Sequence, residues 1–305
     1  MMLKIGSRGS VLAQAQAQWV RRQLLDRFPD LEVPIQIFKT TGDQDAKSSI
    51  RSGSARGVFV KEIEEALEAG EIDLAVHSMK DMPTSIPDSL EITAVPSRED
   101  PRDAFISRNG SRTLKDLPSG AVVGTGSVRR QAQILAIRPD LKVLDIRGNV
   151  DTRLKKLDDG NYDAIILACA GLNRLGMQDR ISAPLEPSEM LPAPGQGALG
   201  LETRKNDRRV SERIAFLNHH PTATAVLAER AFLRRLKGGC NSPIAVYASL
   251  ELESLRIDGL ISTPDGRRFV RAGIAHAPHL AEQAAESLAD QMLADGGEAI
   301  LRGRA

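Results

Sequence analysis

Aromatic residues are scarce in this chain of 305 residues, at 3% with a single Trp. Stacking platforms for single-stranded nucleic acid are therefore few. A net charge of +1 gives no basic footprint spread over the whole surface. The two cysteines cannot build a disulfide framework, and no run approaches the roughly 18 apolar residues of a membrane helix. The start, MMLKIGSRGS, has no apolar signal core. No GxxxxGK(S/T) loop occurs, nor a full GxGxxG after a strand, so phosphate is not the favoured ligand. His77 has no second ligand near it in sequence, which leaves no metal site to predict. These absences predict a cytoplasmic protein that engages neither membrane nor nucleic acid, with monomer as the default state.

Apolar residues make up 41% and charged residues 27%, as in a soluble globular protein. Short apolar runs at 3–7, 33–40, 72–78, 90–95, 104–107, 121–124, 142–146 and 164–168 predict strands. Helical patterns at 10–28, 58–69, 127–137 and 150–158 lie between several of them. This rhythm predicts parallel sheets covered on both faces. Eight strands exceed one comfortable sheet, so two α/β domains are expected. The chain crosses between them at PSREDPRD (96–103) and returns at LPAPGQGA (191–198), with a strand at 198–202 rejoining the first. From about His219 the pattern changes to a helix at 222–237, alternating runs at 245–250, 255–261 and 268–274, and a helix at 279–294. That predicts a small antiparallel sheet with helices on one face. The expected domains are 1–98 with 198–217, then 99–197, then 218–305. The polar stretch 42–57, GDQDAKSSIRSGSARG, reads as a surface loop or a lid.

The chemistry lies at strand ends. Between 127 and 156 eight basic residues face only three acidic ones. Ile5-Gly6-Ser7-Arg8-Gly9-Ser10 ends a strand and starts a helix that Ser10 can cap. Gly124-Thr125-Gly126-Ser127-Val128-Arg129-Arg130 repeats the arrangement with Ser127 as cap, and Ile146-Arg147-Gly148-Asn149 to Arg153 repeats it again. One such turn is ordinary capping beside solvated arginine. Three together, each adding hydroxyl and guanidinium donors to a helix start, point to a receptor for several carboxylates. A fourth strand end, His77-Ser78-Met79-Lys80-Asp81, adds a cation and a carboxylate. A carboxylate among cations at a ligand mouth can stabilise a developing positive charge or handle protons.

Cys169 lies in the apolar run AIILACAGL and is expected to be buried. Cys240 lies in GGCNSP, among turn formers, and is expected to be exposed. No Cys/His/Asn protease signature accompanies it, so hydrolysis is disfavoured and covalent attachment stays open.

At these motifs the chain resembles the hydroxymethylbilane synthase (porphobilinogen deaminase) family over nearly its whole length. The resemblance is carried by IGSRGSVLA (5–13), RGVFVKEIE (56–64), DLAVHSMKDMP (73–83) and GTGSVRRQAQ (124–133). It continues through IRGNVDTRLKKL (146–157), LPAPGQGALGLE (191–202) and LKGGCNSPIA (236–245), in the family's order. Gly126 and Val128 stand where other members often carry different small or apolar residues. The resemblance implies two doubly wound periplasmic-binding-protein-like α/β domains with the site in their cleft, plus a small α/β domain with an antiparallel sheet. It implies a dipyrromethane cofactor joined by a thioether to Cys240, onto which four porphobilinogen molecules are added head to tail with loss of ammonia. Water then releases hydroxymethylbilane. Asp81 matches the catalytic carboxylate. Arg8, Lys80, Arg129, Arg130, Arg147 and Arg153 match the carboxylate-binding residues, with Ser10, Thr125 and Ser127 as hydroxyl donors. The rival class is a non-catalytic anion-binding protein with a two-domain cleft, which has no use for GGCNSP or for Asp81 among cations. A different cysteine-dependent transferase would carry a free, low-pKa thiol at Cys240, where the family reading predicts a blocked one.

Overall fold

The structure is a computed structural model that describes residues 2–39, 60–238 and 242–303. Cys240 and the stretch 42–57 therefore lie outside the described residues. From the amino end run β1 (Ile5–Arg8), α1 (Val11–Arg27), β2 (Ile35–Phe38), α2 (Lys61–Glu68), β3 (Leu74–Ser78) and β4 (Leu90–Ala94). Next come β5 (Asp103–Ser107), β6 (Val122–Gly124), α3 (Val128–Ile137), β7 (Lys142–Leu144), α4 (Val150–Asp158), β8 (Ala164–Ala168), α5 (Cys169–Arg174) and β9 (Ala183–Leu185). The chain continues with β10 (Leu199–Arg204), α6 (Arg208–Ile214), α7 (His220–Arg235), β11 (Ile244–Glu251), β12 (Ser254–Ser262), β13 (Phe269–His276), α8 (Ala281–Met292) and α9 (Glu298–Leu301). Two compact units result, Met1–Glu99 with Ala198–Ala223, and Asp100–Gly197 with Thr224–Ala305.

The first unit holds a sheet of order β2-β1-β3-β10-β4. β2, β1 and β3 are parallel, whereas β10 runs antiparallel to both β3 and β4. Its middle strands are apolar at successive positions because both faces are covered. Leu74 and Val76 of β3 point to a core shared with Ala17, Val20 and Leu24 of α1 and Val210 and Ile214 of α6. Ala75 points the other way, to Ile63 and Leu67 of α2. The period of 2 along the strand thus meets helices on both sides.

The second unit repeats this order as β7-β6-β8-β5-β9, again with three parallel strands followed by one, β5, that runs antiparallel to both of its neighbours. Ala164 and Ile166 of β8 join Ile134 of α3 on one face. Ile165 and Leu167 join Leu154 and Leu157 of α4 on the other. β1, β6 and β7 each lead into a helix, which brings the Arg and hydroxyl residues of the sequence to the carboxyl ends of these strands. Each unit is thus a doubly wound α/β sheet with a single reversed strand, β10 in the first and β5 in the second.

The same unit carries the antiparallel sheet β11-β12-β13. Helices α7 and α8 cover one face through Phe232, Leu288 and Met292, packed on Val246, Ile257 and Ile261. The turn after β12 closes with Gly266 N–H donating to the Thr263 carbonyl at 2.9 Å. Gly266 has φ +70, and a Cβ there would lie 2.1 Å from the carbonyl oxygen of Ala132 on α3. Only glycine fits a backbone of that hand so close to another. Glu229 of α7, fully buried, accepts N–H bonds from Gly195 at 2.6 Å and Ala248 at 2.8 Å. Its carboxylate thereby joins the PGQG segment to the small sheet.

Candidate active site

In the first unit β1 ends at Arg8, and Ser10 caps α1 by accepting the Ala13 N–H at 3.2 Å. β3 ends at Ser78 and turns through a single 3-10 turn, Met79–Asp81. The Met79 N–H donates to the Ala198 carbonyl at 3.0 Å, which ties this turn to the strand returning beside it. Arg8 Nη1 then lies 3.7 Å from Asp81 Oδ2, with both side chains partly open to solvent. Ser78 and Gln16 exchange a side-chain hydrogen bond at 3.0 Å. Arg8, Ser10, Gln16, His77, Ser78 and Asp81 line one small pocket. Lys80 sits half-buried on the same turn.

His77 is the surprise of this pocket. Its direct partner across β3 and β10 is Gly200, which has no side chain, and the imidazole reaches diagonally to Glu202. Nε2 lies 2.9 Å from Glu202 Oε2, with the two side chains 2% and 0% exposed. Glu202 Oε1 is buried without a partner. Glu64, close by, is pushed up to about 7 by burial and then by the charge of Glu202. In the sequence His77 is a lone imidazole with no second ligand near it, and its partner Glu202 lies 125 positions away.

In the second unit β6 ends at Gly124, and Thr125 is buried with its N–H on the Leu144 carbonyl at 3.0 Å. Thr125 Oγ1 accepts the Ser127 N–H at 3.2 Å, and Ser127 Oγ caps α3 by accepting the Arg130 N–H at 3.4 Å. Arg129 and Arg130 are 5% and 7% exposed, and both reach Asp103, at 2.8 Å and 2.7 Å. Burial alone would raise the Asp103 carboxyl, but the two guanidinium groups outweigh it and hold it far below the usual range. Burial lowers Arg129, Asp103 opposes that shift, and the charge of Arg130 adds to it. Arg129 Nε is buried without a partner. Such a donor costs about 1–3 kcal/mol unless something accepts from it.

The third turn brings two further cations. Arg147 Nε donates to Asp145 Oδ2 at 2.8 Å, and the side chain is 39% exposed. Arg153 Nε donates to the Gly148 carbonyl at 2.7 Å, and Lys156 Nζ to the Arg147 carbonyl at 3.0 Å. Gly148 has φ +110, which lets the loop fold back over Thr152. Burial lowers Arg153, and the charge of Arg130 lowers it further. Thr125, Ser127, Arg129, Arg130, Arg147 and Arg153 therefore cluster at one sheet edge of the second unit, and Arg8, Ser10, Lys80 and Asp81 at one edge of the first. Asp103, which organises the second cluster, was missed by sequence reading, and its position within a charged run gave no signal.

Family models and curated relatives match nearly the whole chain. Residues 3–212 match the family model described as porphobilinogen deaminase, dipyromethane cofactor binding domain, and residues 223–294 match the porphobilinogen deaminase C-terminal domain. The porphobilinogen deaminase of Pelobacter propionicus is 50% identical over 299 residues, covering 98% of this chain and 96% of that one. That of Thermus thermophilus is 51% identical over 298 residues, covering 97% of each. The solved methionine-binding protein MetQ gives a TM-score of 0.41 at 16% identity, covering 82% of this chain and 99% of that one. With both family models matched and half the positions shared with these relatives, the chain belongs to the porphobilinogen deaminase family of transferases.

Proposed function

We propose that this chain condenses four porphobilinogen molecules head to tail, releasing ammonia at each addition, and frees hydroxymethylbilane by hydrolysis. The work is done on a dipyrromethane held covalently by Cys240. The observation that carries this reading is the Arg8–Asp81 pair, 3.7 Å apart in a pocket with Ser10 and Ser78. It sets a carboxylate among donors at the end of a parallel strand, where α/β sheets take their ligands.

The residues present fit a dipyrromethane bearing acetate and propionate groups. Arg8, Lys80, Arg129, Arg147 and Arg153 supply cations, with Arg130 beside them, and Ser10, Thr125 and Ser127 supply hydroxyls. The buried, unpartnered Nε of Arg129 is a donor that a carboxylate satisfies. Once bound, the dipyrromethane would supply the nucleophilic pyrrole carbon to which the first unit is joined, each later unit joining the one before it.

Asp81 holds the pyrrole N–H of the incoming porphobilinogen. When ammonia leaves the aminomethyl carbon, the substrate becomes an electron-poor azafulvene, and the Asp81 carboxylate stabilises its positive charge. The C–N bond breaks with its electron pair going to nitrogen, and a C–C bond forms to the attacking ring. That ring loses its α-proton, and Asp81 assists the transfer. The cations hold the acetate and propionate groups and fix the rings for attack.

No helix among the described residues is long and apolar enough to cross a membrane. We further propose a cytoplasmic monomer that binds neither membrane nor nucleic acid. Its three domains are 1–98 with 198–217, 99–197, and 218–305. Purified protein given porphobilinogen is expected to release ammonia and a linear tetrapyrrole in a ratio of four to one. Binding of porphobilinogen with no ammonia released would contradict the reading.

A further inference from the structure

Arg129 and Arg130 are adjacent and almost equally buried, yet their guanidinium groups are engaged differently. Asp103, with no exposed surface, accepts from Arg129 Nη1 on Oδ2 at 2.8 Å. On Oδ1 it accepts from Arg130 Nε and Nη2 at 3.0 and 2.7 Å, and from Gln196 Nε2 at 2.8 Å. Arg130 Nη1 donates to the Ile166 carbonyl at 3.0 Å, so all three of its nitrogens are engaged. Arg129 Nη1 also donates to the Leu191 carbonyl at 2.6 Å, while its buried Nε donates to nothing. The Leu191 backbone is held in turn by Gln133, which accepts its N–H at 2.8 Å and donates to its carbonyl at 3.0 Å.

A guanidinium fixed through Nη1 keeps its Nε–Nη2 edge for a second planar partner, and that edge grips a carboxylate with two parallel bonds. We propose that Asp103 is the positioning residue of this cluster, spending the fork of Arg130 as a brace and aiming the open fork of Arg129 at a substrate-derived carboxylate. Asp103 also cancels one of the two positive charges, so the trio carries the single net charge that one carboxylate neutralises. The inference rests on the proposed function, in which the ligands are carboxylates.

Asp103→Asn keeps the size of the side chain and one acceptor oxygen while removing the charge. In the holoenzyme, KM for porphobilinogen is expected to rise about tenfold or more while kcat falls by less than about threefold. Asp103→Glu restores part of the loss. A KM within about twofold of wild type, whatever kcat does, overturns the proposal.

Because a buried counter-charge is removed, the variant can lose its fold, and a second measurement leaves the cluster intact. Isotope-labelled arginine side-chain NMR compares the wild-type holoenzyme with the Cys240→Ser chain, which has no thiol for attachment. The Arg129 Nε–H signal is expected to shift and to exchange more slowly with solvent in the holoenzyme alone, with the Arg130 Nε–H signal alike in both. An Arg129 signal unchanged between the two, or an Arg130 signal that shifts in its place, overturns the assignment. The covalent mass of the wild-type holoenzyme tests the functional reading separately. If that mass is present, either contrary result removes the role of Asp103 and leaves the function standing.

Discussion

Arg8 and Asp81 lie 3.7 Å apart on the ends of two parallel strands whose register pairs Ile5 with Leu74. Asp81 thus holds its carboxylate beside a guanidinium at this strand mouth, and its side chain remains 35% exposed. Asp81→Ala is expected to lower turnover by at least about a hundredfold to a thousandfold, the scale of a lost electrostatic stabiliser. Asp81→Glu leaves a trace of activity. Thermal unfolding should change little, because an exposed ion pair contributes about 0–1 kcal/mol. Steady-state ammonia release with a parallel melting curve checks both halves.

Arg147 pairs with Asp145 near the surface at 2.8 Å, so its removal should spare the fold. In the proposed function it holds a carboxylate of the growing chain. Arg147→Ala is therefore expected to stall elongation and to leave a ladder of enzyme-bound masses spaced by one substrate unit less ammonia. Mass spectrometry of the denatured variant after a short pulse of porphobilinogen shows the ladder. Complete turnover at the wild-type rate would remove Arg147 from the site.

Glu64 has its carboxyl pushed up to about 7 from an ordinary 4.5, by burial first and then by the Glu202 charge. Glu68 adds to the shift and His77 opposes it. The folded protein binds this proton more tightly than the unfolded chain does. The associated stability is thus fully present below about 4.5 and is lost as pH rises towards about 7. Glu64→Gln should flatten that fall, so wild type and variant differ most at the alkaline end. Melting temperatures of both proteins across this range test it, and parallel curves would show that Glu64 does not carry the effect.

Gly266 has φ +70, and a Cβ there would lie 2.1 Å from the Ala132 carbonyl oxygen on α3. Gly266→Ala is expected to cost about 1–3 kcal/mol from backbone strain, plus whatever displacement the contact forces. That lowers Tm by several degrees. The same contact carries a functional consequence, because α3 holds Ser127, Arg129 and Arg130. The variant should also bind porphobilinogen more weakly, which a KM measurement reads.

Much of the architecture is visible in the chain because it depends on local pattern. The stretch 74–76 and the run at 164–168 are apolar at successive positions, and the structure covers both faces of β3 and β8. Ser10 and Ser127 were readable as caps because capping is satisfied within three residues. β9 was not readable: it has three residues, one of them Pro184, and takes its place only by pairing with β5. Helix α6, RRVSERI, shows just Val210 and Ile214 as buried positions, too few for a clear period. Residues that meet over long separations were hidden for a different reason. Asp103 is 26 positions from Arg129, and His77 is 125 from Glu202, so neither pairing leaves a trace in local spacing. The division of labour between Arg129 and Arg130 is hidden in the same way, since as a dipeptide they are equivalent.

The intact mass of the purified, denatured protein, weighed beside a Cys240→Ser variant, tests the central claim most directly. The account predicts an excess equal to two linked pyrrole units on the wild type and none on the variant. Alkylation of the denatured wild type should then reach Cys169 alone, the thiol that burial pushes up to about 12 in the folded protein. A bare mass in a sample that still consumes porphobilinogen would contradict the covalent cofactor and the assignment of Cys240 together.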